Sequence, residues 1–249
     1  MKCSINIATY PSREECLSKM LKSVRNQFDI VRVYVNQFED YELHLDDIIE
    51  LGATDVFFGV DYTDNGKFFG LASMDFDKAS FDIPPTFPSE HEYYFTADDD
   101  LSYPSTYCSD MVQQIEKHKC IITHHGRIIR GLDRDYYRQN QMFSCLSMQN
   151  SIREIDVAGT GVTAFSTEYF HPKNLINSEF KKMSDLIFSL EAAEQGKTIM
   201  VVNHTNTYFK YLKPELNGGS TIHRDSRKGK DGINKQNMLA NKIYKILRA

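Results

Sequence analysis

The order of the first sixty residues limits the possible folds more than any other feature of this chain. Residues 3–8 alternate and are rich in isoleucine, as a buried strand would be. Residues 9–13, Thr-Tyr-Pro-Ser-Arg, break that run, and Ser12 with Glu15 three residues later spells a capping box. From there to about residue 27 the chain places Cys16, Leu17, Met20, Leu21 and Val24 on one helical face. Residues 30–35 form a second, β-branched strand. Residues 41–51 read as an acidic helix ended by Gly52, and residues 54–58 as a third strand. This β-α-β-α-β succession implies parallel strands joined by right-handed crossovers, and hence an α/β protein.

The remainder continues in that style. Residues 75–92, with Pro84, Pro85 and Pro88, read as a connection or a short helix followed by a loop. Residues 93–96 are a central strand that runs directly into Ala97-Asp98-Asp99-Asp100. Pro104 suits the first turn of a helix reaching about residue 119, and residues 120–124 form another strand. Strand signals recur at 154–157 and 198–203, with a helix at 184–195 stopped by Gly196. Residues 212–234 turn to Gly, Ser, Lys, Arg and Asp, the composition of a mobile loop. Residues 235–248 form a basic amphipathic helix, with Met238, Leu239, Ile243, Ile246 and Leu247 expected to pack on the domain. Its lysines and Arg248 also allow peripheral contact with an anionic membrane.

Composition narrows the function classes. A formal charge of -5 on 249 residues argues against a nucleic-acid binder that neutralises phosphates in bulk. The N-terminus enters a strand at once and no apolar run nears 18 residues, so a cytoplasmic protein is expected. Five cysteines, odd in number and without a CxxC pair, read as reduced core thiols.

The chemistry centres on the acidic triplet. Open α/β sheets bind ligands at the C-terminal ends of their strands. Carboxylates packed there repel one another and raise each other's pKa values unless a cation sits among them. A hard divalent cation with oxygen ligands relieves that repulsion. In an extended chain Asp98 and Asp100 share one side and Asp99 points away. The bland alternative is a solvated turn leading into the helix at Pro104. Val157-Ala158-Gly159-Thr160-Gly161-Val162 offers a close-approach backbone, or a plain turn. Among the histidines, His124 and His125 alternate on a strand and read as packing residues.

With these segments assembled, the chain resembles the family 2 glycosyltransferases of the GT-A fold, of the bacterial polysaccharide type. The resemblance rests on Ile5-Asn6-Ile7-Ala8-Thr9-Tyr10-Pro11-Ser12-Arg13 with Leu17, Leu21, Ser23, Val24 and Gln27 in the helix that follows. It rests also on Gly66-Lys67-Phe68-Phe69 after Asp64, and on Tyr93 to Asp100 as a DxD strand end. It implies a GT-A α/β domain over residues 1–212, with a mixed, mainly parallel sheet flanked by helices. Residues 1–125 would be the nucleotide-sugar half, 126–212 the acceptor half, and 213–249 a basic loop and terminal helix. Thr9, Tyr10, Arg13, Asp64, Lys67, Asp98 and Asp99 would serve the nucleotide sugar, with UDP the expected nucleotide. Asp100, Asp98 and His204 would hold Mn²⁺ or Mg²⁺, with His223 a second histidine to weigh. Asp185, opening the helix at 184, would be the general base, kept ionised by the helix dipole, with Glu191 and Glu194 behind it. The acceptor would be a glycan or a lipid-linked hydroxyl, and the basic loop, with Lys213, Arg224 and Arg227, would close over the donor. Two other readings remain: a metal-dependent nucleotidyltransferase, which would carry a glycine-rich loop that residues 9–13 lack, and a non-catalytic carbohydrate-binding domain.

Overall fold

A computed structural model of the chain describes residues 1–37, 45–71, 91–138, 140–173, 175–176, 178–213 and 229–249. The first strand, β1 (Lys2–Thr9), leads through a 3-10 turn at Pro11–Arg13 into α1 (Glu14–Val24). Then come β2 (Ile30–Val35), α2 (Leu45–Glu50) and β3 (Asp55–Phe58). A 3-10 run, Thr63–Leu71, precedes β4 (Glu92–Asp98), β5 (Leu101–Ser102), α3 (Tyr107–His118) and β6 (Ile121–Thr123). The second half contributes β7 (Gly126–Ile128), β8 (Gln141–Phe143), β9 (Arg153–Ile155), β10 (Val157–Ala158), β11 (Val162–Ser166), α4 (Ser184–Glu194), β12 (Ile199–Val201), β13 (Lys210–Tyr211) and α5 (Gly229–Leu247).

Eight strands form one sheet in the order β3-β2-β1-β4-β11-β6-β12-β9. Its first four strands are parallel, as the opening succession predicts. The antiparallel β11 then joins β4 to β6, so the sheet is mixed. β10, β7 and β8 form a separate three-stranded sheet, and β13 pairs with β5 beside the acidic triplet. The helical face expected for α1 is the buried one: Cys16, Leu17, Met20, Leu21 and Val24 lie in the main apolar core with Ile5, Ile7, Val33 and Phe95. Arg32 is buried inside β2 and is neutralised by Glu92 of β4 at 3.1 Å, two strands away, with Asn6 of the intervening β1 between them. A buried cation is tolerable only with such a partner.

Local expectations shift in instructive ways. The capping box at Ser12 does not form, because Pro11–Arg13 is already a 3-10 turn and Arg13 occupies the N-cap of α1 without a side-chain cap. Pro104 lies before α3 rather than in its first turn; its carbonyl accepts from the Tyr107 N–H, and the helix starts there. The single strand expected at 154–157 splits into β9 and β10, which join different sheets. The run Thr63–Leu71 is buried throughout, because Gly66 and Gly70 let it press on the sheet; a Cβ on Gly66 would meet the Tyr34 ring at 2.7 Å. All five cysteines are free thiols and four are buried.

α5 begins earlier than expected and packs on α4 through Leu239, Ala240 and Ile243, whereas Met238 is 51% exposed. Lys242 pairs with Glu194, and Arg248 with Asp156 at 3.0 Å. No helix among the described residues is long and apolar enough to cross a membrane. The glycine- and lysine-rich stretch with Gly218, Arg224, Arg227 and His223 lies outside the described residues, as do the prolines at 84, 85 and 88.

Candidate active site

A cleft of about 500 Å³ opens at the C-terminal edge of β1 and β4. Two sets of elements line it. On one side stand Tyr10, Arg13, Asp64, Lys67 and the triplet Asp98, Asp99 and Asp100. On the other stand residues of β7, β10, the start of α4 and α5, among them Arg127, Thr160, Asp185 and Gln236.

The triplet sits where β4 ends and the chain turns into β5. The Asp98 amide donates to the Tyr103 hydroxyl at 2.9 Å, and that hydroxyl donates to the Gly161 carbonyl at 2.7 Å. The turn interrupts the strand alternation, and all three carboxylates line the cleft. Asp98 takes Lys67 Nζ at 2.5 Å. Arg13 Nη1 reaches both Asp99, at 2.6 Å, and Asp100, at 2.9 Å. Asp99 also accepts the Thr9 hydroxyl at 2.8 Å. Thr9 is therefore a buried support beneath Asp99 and does not line the cleft, whereas Tyr10 and Arg13 do.

Two cations against three carboxylates leave one net negative charge. Its effect is legible in Asp100: burial and the neighbouring Asp98 and Asp99 push its carboxyl up to about 6, despite Arg13. Burial also raises Asp99, while for Asp98 the Lys67 ammonium outweighs burial and holds the carboxyl below the usual range. Burial pulls the Lys67 ammonium down, but Asp98 and then Asp64 outweigh it, so Lys67 stays charged. Asp98 presents 45% of its side chain to the cleft. That is possible because residue 161 is glycine: a Cβ there would lie 2.0 Å from the Asp98 Oδ2.

Asp64 faces the cleft, and its carboxylate is engaged at the start of α4, accepting the Ser184 hydroxyl at 2.6 Å and the Ser184 amide at 3.1 Å. Asp185, next along, accepts both the amide and the hydroxyl of Thr160, at 2.8 and 2.7 Å. The dipole was expected to keep Asp185 readily ionised. Burial outweighs it, and the carboxyl is raised above the ordinary aspartate range. Glu191 and Glu194 lie further along α4 and do not line the cleft; Glu191 accepts the Lys173 amide and Glu194 pairs with Lys242.

The histidines separate. His204 is 7% exposed and faces His124, their Nδ1 atoms 3.2 Å apart, within a ring cluster that includes Tyr208 and Phe209. It does not line the cleft. Burial pushes His124 down to about 3. His125, read from sequence as a packing residue, does line the cleft; its Nδ1 accepts the Cys145 amide, and burial with Arg127 nearby pushes it down to about 4.

Sequence reasoning missed Arg127, Tyr136, Tyr137, Lys182 and Gln236, all of which line the cleft. No local signal marks them. Arg127 sits in a three-residue strand, and Gln236 arrives from a helix 109 positions later. α5 also fixes the loop between β7 and β8: Asn237 Oδ1 accepts the Tyr136 amide at 3.0 Å, and Asn241 Oδ1 accepts the Asp133 amide at 2.9 Å.

Among the described residues no three His, Cys, Asp or Glu side chains are arranged to hold a metal ion. Asp98 and Asp100 do offer carboxylate oxygens bearing excess negative charge. Magnesium-like ions are commonly held by one or two carboxylates together with substrate phosphates.

No family model and no curated protein matches this sequence. Solved structures do. TarS of S. aureus superposes with a TM-score of 0.50 at 14% identity, covering 84% of this chain and 36% of its own. The present chain therefore spans little more than a third of that protein. The 4-diphosphocytidyl-2C-methyl-D-erythritol synthase of Anaerococcus prevotii superposes with a TM-score of 0.48 at 15% identity over 98% of both chains. At such identities the likeness speaks to architecture: a single GT-A-like α/β domain built on a mixed, mainly parallel sheet.

Proposed function

We propose that this chain is an inverting glycosyltransferase. It moves a sugar from a nucleoside-diphosphate sugar, with UDP the expected nucleotide, to a hydroxyl of a glycan or lipid-linked acceptor in polysaccharide biosynthesis. One observation carries the reading: the charged strand end Asp98–Asp100 and the carboxylate of Asp185 line one cleft. The first suits a diphosphate and its counter-ion, and the second suits an acceptor hydroxyl.

Tyr10 stands at the rim where its ring can stack on a base, and Arg13 and Lys67 are the cations nearest the expected diphosphate. Asp98 and Asp100 would hold Mn²⁺ or Mg²⁺ jointly with the phosphates. When bound, that ion would supply Lewis-acid stabilisation of the leaving diphosphate. Asp185 takes the proton of the acceptor hydroxyl. The acceptor oxygen forms its bond to the anomeric carbon on the face opposite the leaving group, and the bond from that carbon to the diphosphate oxygen breaks with its electron pair. A carboxyl raised above the usual aspartate range is a stronger base than an exposed one, which supports Asp185 in that role. Thr160 donates twice to one Asp185 oxygen, leaving the other for the acceptor.

A panel of nucleotide sugars with and without Mn²⁺, read by thermal unfolding, tests this. At roughly a hundredfold excess over Kd the correct donor raises the midpoint by about 5–10 °C. The reading fails if no nucleotide sugar shifts it. A response confined to nucleoside triphosphates, with release of pyrophosphate, would favour nucleotidyl transfer instead.

A further inference from the structure

Arg127 is 8% exposed, lines the cleft, and has no carboxylate within ion-pairing distance among the described residues. Its guanidinium packs against the rings of Tyr136, at 5.2 Å, and Tyr137, at 5.0 Å, which meet edge to face beside it. Its acceptors are neutral: the Tyr137 carbonyl at 3.4 Å, the Met142 sulfur at 3.3 Å and the Tyr136 phenol. Arginine does not shed its proton, and a buried charge without a counter-charge is unfavourable. The tyrosine faces offset part of that, because cation–π contacts are attractive but weaker than an ion pair. The other buried arginines follow a different rule: Arg32 has Glu92, and Arg13 has two aspartates. Arg127 alone among these three is buried in the cleft wall with its charge uncompensated.

The surroundings are built rather than incidental. Arg127 belongs to β7, whose neighbour β10 leads into Thr160, the support of Asp185. The loop carrying Tyr136 and Tyr137 is tied to α5 by Asn237 and Asn241. α5 is tied in turn to the β9–β10 junction through Arg248 and Asp156, and Asp156 accepts the Ile129 amide two residues beyond Arg127. Four elements thus hold one unpaired guanidinium on the Asp185 side of the cleft.

We infer that Arg127, framed by Tyr136 and Tyr137, is an oxyanion subsite on the acceptor side, and that the acceptor carries a phosphate or carboxylate close to the hydroxyl that reacts. The assignment to an acceptor rests on the glycosyltransferase reading, whereas the anion subsite itself does not. A planar guanidinium held against two rings can donate two parallel N–H bonds to a tetrahedral or planar oxyanion.

The chain contains no tryptophan, so Tyr137→Trp introduces a single tryptophan against Arg127, whose emission is excited selectively over that of the tyrosines. Inorganic phosphate, glucose 1-phosphate, glucuronate and neutral glucose are titrated into this variant, with and without saturating UDP. The three anions should change the tryptophan emission and glucose should not, and the change should persist with UDP bound. The relative affinities of glucose 1-phosphate and glucuronate tell a phosphate ester from a carboxylate. Adding Arg127→Met should weaken the anions by about tenfold or more, and Arg127→Lys by less, since lysine keeps the charge but not the fork. Circular dichroism and a thermal midpoint check that each variant is folded, and the Lys variant carries the test if the Met variant is not. No anion response, or a response indifferent to both Arg127 substitutions, overturns the subsite. A response abolished by UDP moves the anion to the nucleotide side and overturns the acceptor assignment. UDP that fails to shift thermal unfolding while phosphate still binds at Arg127 counts against the glycosyltransferase reading and leaves the subsite standing.

Discussion

On the wall of the cleft that carries the triplet every one of its carboxylates touches a cation, Asp98 on Lys67 and both Asp99 and Asp100 on Arg13. On the wall that carries Arg127 and the start of α4 the pattern reverses: Arg127 is buried with no carboxylate within ion-pairing distance among the described residues, and the half-buried Asp185 is held by the amide and hydroxyl of Thr160. The two arrangements do different work. Paired charges are held in place before any ligand arrives, and the single negative charge left over is what a counter-ion and a diphosphate can exploit. Unpaired charges keep their reactivity. A carboxyl raised by burial is a better base, and an arginine without a partner is ready for an oxyanion.

The largest expected effect tests the unpaired carboxylate. Asp185→Asn should lower kcat by roughly 10² to 10⁴ while nucleotide-sugar binding, read by thermal shift, stays intact. Loss of binding with unchanged kcat would move Asp185 to the nucleotide side and erase the contrast. Next, Arg13→Met strands Asp99 and Asp100, whose side chains are 4% and 19% exposed. It should cost about 3 kcal/mol in urea unfolding, the usual penalty for breaking a buried pair from one side. A third test turns on shape: Gly161→Ala puts a methyl where the Asp98 Oδ2 now sits, and should reduce kcat/KM roughly tenfold or more through misplacement of that carboxylate.

A smaller effect follows from Asp100. Its carboxyl titrates at about 6 in the folded chain and near 3.9 when unfolded. Between those values the folded state binds more protons, so this group's contribution makes stability fall as pH rises from about 4 to about 6. The same proton competes with a cation, so Mn²⁺ affinity measured by calorimetry should rise as pH climbs through about 6. Asp100→Asn should flatten that rise. The smallest effect sharpens the comparison most: Arg127→Met should change stability by no more than about 1 kcal/mol, because it leaves no carboxylate behind. A loss near that of Arg13→Met would reveal a hidden counter-charge and make the two sides alike.

Part of the site was legible in the sequence. The strand end at Tyr93 to Asp100, the loop at Tyr10 to Arg13 and the helix start at Asp185 are local patterns, and each lies on the cleft. The 3-10 run with Asp64 and Lys67 was visible only through its likeness to a known segment, because its burial comes from glycines pressed against Tyr34 rather than from any periodicity. His204 illustrates the opposite error. Its position late in the chain suggested a ligand, but its ring turns into the cluster with His124 and Tyr208, away from the cleft lining.

The sequence by itself determined the α/β order, the parallel first half and the place of the acidic triplet, since hydrophobic periodicity and turn chemistry act over a few neighbouring residues. Only the tertiary structure decided which charges are paired. Arg13 meets Asp99 across 86 positions, Lys67 meets Asp98 across 31, and Arg127 meets no acid among the described residues. Charge pairing depends on distance in space and on exclusion of water, and neither is written in the spacing of residues along a chain.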